Sequence, residues 1–262
     1  MNKLLAIEWM KVKRYRTFWI MTGMFALLLP MWNYGIASGV LQLFGKTGID
    51  VISKAYAFSN VWNNLGFWTS IFVVFISILT IIITTNEYVF RTNRQNVIDG
   101  YSREQYYHAK WLMVLAFTIF TTVYVFILGL IFGATNDSFS NFPGKIENLF
   151  YVFVLSLNYY SFGLLLGILF KRSGIAIGIF FLYNMIIESL LKSLLNWKLN
   201  TVGNYLPLQA SDELLPFPVL ELVKSLAQME KAPPAYGYII ASFAWIIIYY
   251  IIGRMRLLKS DW

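Results

Sequence analysis

The 262-residue chain contains no cysteine and one histidine, His108. Without thiols it has no disulfide, no thiolate metal site and no cysteine nucleophile. His108 is followed by Ala109-Lys110-Trp111-Leu112, so it does not open a His-Glu-x-x-His zinc site. One imidazole without cysteine cannot build a zinc shell, and the residue reads as solvated. Charge is also scarce, at 13% of residues, and phosphate-cradling loops are missing. Gly39 and Gly45-Lys46-Thr47 come nearest, but five residues separate the glycines where a phosphate nest needs four. The chain is therefore not expected to hydrolyse a nucleotide itself, and a membrane-embedded enzyme finds too few convergent acids or nucleophiles.

Apolar side chains are abundant: 58% of residues are hydrophobic and 18% aromatic, with a mean hydropathy of +0.60. Runs close to the length that crosses a hydrocarbon core of about 30 Å recur along the chain. The expected fold is all-α, a polytopic membrane protein with six transmembrane helices at residues 18–44, 65–85, 111–133, 149–170, 174–191 and 238–253. Pro30 is expected to kink the first span while neighbours satisfy the freed carbonyl. Residues 1–17 are polar and basic, and the run behind them exceeds the roughly 7–15 residues of a signal-peptide core. The first span is expected to stay in the mature protein. Residues 1–262 read as one transmembrane domain without repeats or a soluble module.

Basic residues set the expected orientation. With both termini cytoplasmic, the inner segments hold 14 of the 21 Lys and Arg against five acids, a net +9, and the outer segments sum to −1. Topology and anionic lipid account for this asymmetry, which argues against nucleic acid as a partner.

Residues 1–17 place Met1, Leu4, Leu5, Trp9 and Val12 on one helical face, with Lys3, Lys11 and Arg14 pointing away and Glu8 interrupting the stripe. This reads either as an amphipathic interfacial helix or as a positive-inside anchor. The polar stretch 86–110 carries a break at Asp99-Gly100. A second helix start follows at Ser102, with Gln105 three residues on in capping-box spacing. The outer loop, 192–237, holds five prolines and a candidate amphipathic helix at 219–229, and is expected to form a small cap or a re-entrant element.

Within the spans only Glu188 is charged, and Lys192 four residues on favours an ion pair on one helix face over a transport role. Asn33, Asn158, Asn184 and Glu188 are candidates for a polar translocation path, although each Asn could equally bond a neighbouring helix. Gly129 with Gly133, Gly163 with Gly167 and Gly174 with Gly178 have the small-xxx-small spacing of close helix contacts. The last two pairs point to a packed hairpin of spans four and five.

Six spans, a basic entry helix, a structured inner loop and no energy-coupling chemistry fit a membrane subunit driven by a separate motor. At these residues the chain resembles the permease subunits of type-2 ABC exporters. Glu87, Thr92, Arg94, Gly100, Ser102, Arg103 and Lys110 look like that family's coupling region, and Glu8, Lys11 and Arg14 like its charged connecting helix. Asp99-Gly100-Tyr101 stands where the family often has a proline turn. The resemblance implies a cytoplasmic coupling helix between spans two and three, around Asp99, Gly100, Tyr101, Ser102, Arg103 and Glu104. It implies a cytoplasmic ABC ATPase subunit that binds the ATP and Mg absent from this chain, and a second permease as homo- or heterodimer partner. It also implies export across a bacterial plasma (inner) membrane. The nearly charge-free interior suits a hydrophobic or amphipathic cargo such as a lipid, peptide or drug-like molecule. A non-transporting scaffold or sensor subunit of an ABC-linked complex shares these features.

Overall fold

The computed structural model describes residues 2–38, 56–92, 100, 102–138, 142–217 and 235–259, with side chains from residue 6 onward. Among them the chain is helical, with no strand. Helix α1 (Asn2–Val12) leads through an elbow into α2 (Arg16–Ala37), followed by α3 (Val61–Val89), α4 (Arg103–Asn136) and α5 (Asn148–Phe170). The fifth span starts as α6 (Ser173–Leu182), passes a π-turn at Tyr183–Ile187 and continues as α7 (Glu188–Leu199), after which a 3-10 turn (Asn200–Tyr205) begins the return. A short helix α8 (Gln209–Asp212) precedes α9 (Ala235–Lys259). Six helical stretches are long and apolar enough to cross a membrane, at Arg16–Ala37, Val61–Val89, Arg103–Asn136, Asn148–Phe170, Ser173–Tyr205 and Ala235–Lys259. Most run past the apolar windows read from sequence, because the backbone ladder continues into flanking polar residues that are themselves good helix formers.

Helix α5 is the axis of the bundle, apolar on every side, and 89% of its apolar window is buried. It packs against α3, α4 and α9. Close approach to α3 depends on two glycines. A Cβ on Gly163 would stand 3.0 Å from the Ser77 carbonyl oxygen, and one on Gly167 would stand 3.0 Å from Thr84 Cβ. This small-residue pair therefore seats span two, not span five. Gly174 and Gly178 face open space, so the expected four–five hairpin is not built on paired glycines. Gly129 and Gly133 instead form a slot on α4 for the rings of Trp62 and Phe58, both fully buried.

Polar side chains inside the bundle bond locally. Thr69, Ser77, Thr80, Thr84 and Thr85 on α3 each donate to the carbonyl four residues back, which lets hydroxyls sit in an apolar interior without orphaned protons. Helix α2 continues through Pro30. A proline ring removes the N–H that would reach Ala26 O, and the Tyr124 hydroxyl of α4 donates to that carbonyl instead.

Chain ends and interhelix turns gather at one face, here called proximal, where α1 meets α4 and the end of α9 meets the start of α4. At the opposite, distal face the chain turns back after α7. Residues 200–217 return along it, until Asp212 meets Tyr159, eleven residues and roughly 16 Å into α5. Residues 200–217 thus dip into the bundle. The candidate helix at 219–229 lies outside the described residues, as do Gly39, Gly45, Lys46 and Thr47.

Gly129→Val puts two methyl groups where Trp62 lies, since even a Cβ there falls 1.9 Å from the indole. The substitution is expected to lower stability by about 1–3 kcal/mol, read as a lower melting midpoint of the detergent-solubilised protein. Gly174→Val, in open space, is expected to leave that midpoint unchanged.

Candidate functional site

The most polar buried feature sits at the proximal face and joins three separate elements. Glu8 of α1, Glu87 of α3 and Lys110 of α4 are all buried, with Lys110 fully enclosed. Lys110 Nζ lies 2.6 Å from Glu8 Oε2 and 2.7 Å from Glu87 Oε1. Lys11 Nζ closes the ring at 2.8 Å from Glu8 Oε1 and 2.9 Å from Glu87 Oε1. Two carboxylates and two ammonium groups thus alternate around a ring of zero net charge. Tyr106, one turn before Lys110, lies beneath that ammonium at 5.2 Å from its ring centroid.

Local sequence explains how these groups arrive. Glu8 and Lys11 are three residues apart and share a helical face; the same face carries Val12, which is buried. The inward face of α1 is centred on Glu8, and Trp9 is exposed. Hence Glu8 does not break an apolar stripe, and Lys11 does not point away as the periodicity had it. Arg14 is exposed and outside the ring. Past the elbow, Trp19 donates its indole N–H to the Lys13 carbonyl at 2.8 Å, and Phe18 meets Trp9 edge-on. These contacts hold α1 against α2.

Helix α4 starts where the capping-box spacing predicts. The Gln105 N–H donates to Ser102 Oγ at 3.1 Å, and the Ser102 N–H donates to Gln105 Oε1 at 2.9 Å. Gly100 has φ +95°, a left-handed conformation that glycine adopts without strain. The helix running from Arg103 is continuous with span three, so its first turns are not a separate short helix. Among the other coupling candidates, Arg94, Asp99 and Tyr101 lie outside the described residues. Arg103 and Glu104 turn toward span six: Arg103 Nη1 donates to the Leu258 carbonyl at 2.7 Å, and Arg254 pairs with Glu104. Tyr107 donates to the Tyr250 carbonyl at 2.7 Å, and His108 Nε2 lies 3.2 Å from the Tyr250 hydroxyl. The start of α4 is therefore clamped to the end of α9 on one side and to the charge ring on the other.

A cavity of about 290 Å³ opens beside the ring, between α1 and the end of α3, with Lys11, Glu87 and Asn86 on its polar side and Val12, Ile83 and Phe90 on its apolar side. Asn86 donates to the Tyr15 hydroxyl at 3.0 Å across it.

The four path candidates are mostly committed to bonds inside the subunit. Asn33 is fully buried, donating to the Leu29 carbonyl and accepting from the Tyr56 hydroxyl. Asn158, also fully buried, donates to the Pro207 carbonyl at 2.7 Å and to Ser211 Oγ at 3.0 Å. Glu188 Oε1 accepts the backbone N–H groups of Leu208 and Gln209 at 2.7 and 3.0 Å. Lys192 instead reaches Glu213 at 2.6 Å, which replaces the expected Glu188–Lys192 bridge, because the returning segment supplies both a nearer carboxylate for the lysine and two backbone donors for Glu188. Only Asn184 keeps partial exposure, and its Oδ1 lies 3.3 Å from the Tyr159 hydroxyl.

Six helices long and apolar enough to cross a membrane, among the described residues, mark a multi-pass helical membrane protein. The family model for ABC-2 family transporter protein matches residues 4–187, and the chain belongs to this family. It is thus a permease of an ABC transporter, a transport subunit and not a catalytic one, and that membership implies an ATPase partner. The match takes in the whole charge ring. No curated protein matches the chain.

Lys110→Met leaves two buried carboxylates sharing one lysine, and breaking a buried pair costs about 3–5 kcal/mol. Lys11, 27% exposed, sits at the rim, and Lys11→Met is expected to cost about 1 kcal/mol or less. Denaturant unfolding of the solubilised protein should show the two variants separated in that order.

Proposed function

We propose that this chain forms the translocation path of an ATP-driven exporter, powered by a separate cytoplasmic ABC ATPase subunit that binds the ATP and Mg. The single observation that carries this reading is the charge ring, which joins the entry helix to both flanks of the loop between spans two and three. A push delivered to residues 86–110 reaches α1, α3 and α4 together, because Glu8, Glu87 and Lys110 are too deeply buried to part without exposing an unpaired charge to low dielectric. In this reading the proximal face is cytoplasmic, in keeping with the excess of basic residues there, and the membrane is the bacterial plasma membrane. Helix α1 lies along its inner leaflet among lipid headgroups, and the turn at Gly100 to Glu104 docks on the motor.

Three spans leave most of their apolar surfaces uncovered. Only 22% of the first span's apolar window, 17% of the fifth's and 22% of the sixth's are buried, and Met31, Met185, Leu190 and Ile240 are among the exposed side chains. A second permease seated on these spans, with a hydrophobic or amphipathic substrate between the two copies, accounts for surfaces of this kind. One transmembrane domain from 1 to 262 carries the whole arrangement.

Glu87→Gln, which keeps the size of the side chain and deletes its charge, tests this reading in nanodiscs with a candidate ABC ATPase subunit. Wild type is expected to retain the ATPase and to raise its turnover when transported substrate is added. The variant is expected to retain it with that stimulation reduced about tenfold or more. A chain that binds no ATPase, or one whose stimulation is the same in both forms, is a scaffold or sensor subunit instead. Substrate accumulation in inside-out vesicles on addition of ATP distinguishes export from uptake.

A further inference from the structure

A second polar cluster in the distal half straddles the end of the family match at residue 187. Glu188 and Asp212 approach each other there with no lysine or arginine bonded to either among the described residues; the nearest ammonium, that of Lys192, is engaged by Glu213. Span four contributes Tyr159 and Asn158, span five Tyr183 and Asn184 beside Glu188 and Lys192, and span six Tyr238 and Tyr249. The π-turn at Tyr183–Ile187 swells the fifth span at this level, a distortion frequent at functional positions.

Hydrogen bonding at Tyr159 differs between the two protonation states of Asp212. Its hydroxyl lies 3.3 Å from Asn184 Oδ1 and 3.1 and 3.0 Å from the two oxygens of Asp212. A phenol has one proton to give. With Asp212 ionised, Tyr159 donates to the carboxylate, and Asn184 is met only when its amide turns to donate to the phenol oxygen. With Asp212 protonated, the carboxylic acid donates to the phenol oxygen and the phenol donates to Asn184, in an unbroken chain. Tyr249 adds a second sign of an unmet partner: its hydroxyl has no hydrogen bond, its side chain is 96% buried, and it faces Glu188 and Tyr183.

We propose that Asp212 holds a proton that latches the returning segment 206–217 to spans four and five, and that loss of this proton to the distal solution releases the segment. Partial exposure of Asp212 gives the proton a way out. Asp212 lies outside the six spanning helices, and burial together with the nearby Glu188 carboxylate pushes its carboxyl up to about 8. Released into water, the same carboxyl returns to the ordinary carboxylate range. Its affinity for the proton is therefore higher in the latched state, so the latch is complete below the ordinary carboxylate range. It weakens as pH rises from there and is lost above about 8, with a shift of up to about tenfold in the latched-to-released ratio per pH unit between those limits.

The absence of cysteine makes the test direct. Ala210→Cys puts one thiol at a fully buried position two residues from Asp212, and Glu147→Cys, at an exposed site in the distal turn before α5, corrects for the reactivity of thiolate at each pH. A membrane-impermeant maleimide is applied to the purified protein in nanodiscs from about pH 6 to 9. The ratio of the two labelling rates is expected to rise at least about tenfold across that range. Adding Asp212→Asn, whose amide still donates to Tyr159, is expected to keep the ratio low throughout. Glu188→Gln, which retains the acceptor for Leu208 and Gln209, is expected to move the midpoint to lower pH. A flat ratio in the Ala210→Cys protein, or an unchanged rise with Asp212→Asn, overturns the proposal. If Asp212→Asn does not assemble, an unmoved midpoint in Glu188→Gln overturns it equally.

Discussion

A hydrocarbon surround presses buried polar groups to find partners within the chain, and much of this structure follows from that pressure. The cost of an unmet backbone group in hydrocarbon is several kcal/mol, which is why the bundle is helical throughout its described spans. The same pressure turns the hydroxyls of α3 back on their own helix and brings Tyr124 to the carbonyl that Pro30 leaves open. It also sends Glu188 to two backbone N–H groups of the returning segment. Charge raises the stakes further. Lys110 is tolerated with no exposed surface only because two carboxylates reach it from different helices.

The two polar centres answer this demand differently. At the proximal face two positive and two negative groups balance in alternation, and their geometry favours one rigid unit made from α1, α3 and α4. At the distal face the sum is incomplete, with two carboxyl groups and several phenols competing for few protons. A satisfied network stiffens the elements it joins, whereas one short of a partner is poised between arrangements. A stiff entry end and an adjustable far end suit a subunit that receives force on one side and opens on the other.

Much of this was legible in the sequence. The six spans and the capping box at Ser102 are consequences of local composition and spacing, although several helices end well beyond or short of the apolar windows. Helix facing was less accessible. Glu8 looked like an interruption of an apolar stripe, because its partners lie at Glu87 and Lys110, 79 and 102 residues further on, and periodicity carries no information about them. Lys110 matched the family pattern as a lysine at the start of a span, but its complete burial follows only from where α1 is laid. Asp212 had the least local signal of all. It sat in a proline-rich stretch that reads as a loop, and its role depends on Tyr159, 53 residues away. The paired glycines misled in the opposite sense: their spacing correctly marks close contacts, and the helix they contact is fixed by the bundle as a whole.

Because the entry ring contains two positive and two negative groups, it is electrically silent toward the membrane as a body. A single elementary charge carried across the bilayer exchanges about 2.3 kcal/mol with every 100 mV of transmembrane potential. Four charges of alternating sign, moving together, exchange almost nothing. A cell could therefore polarise or depolarise its membrane without tilting this joint, and its position would answer to the motor rather than to voltage.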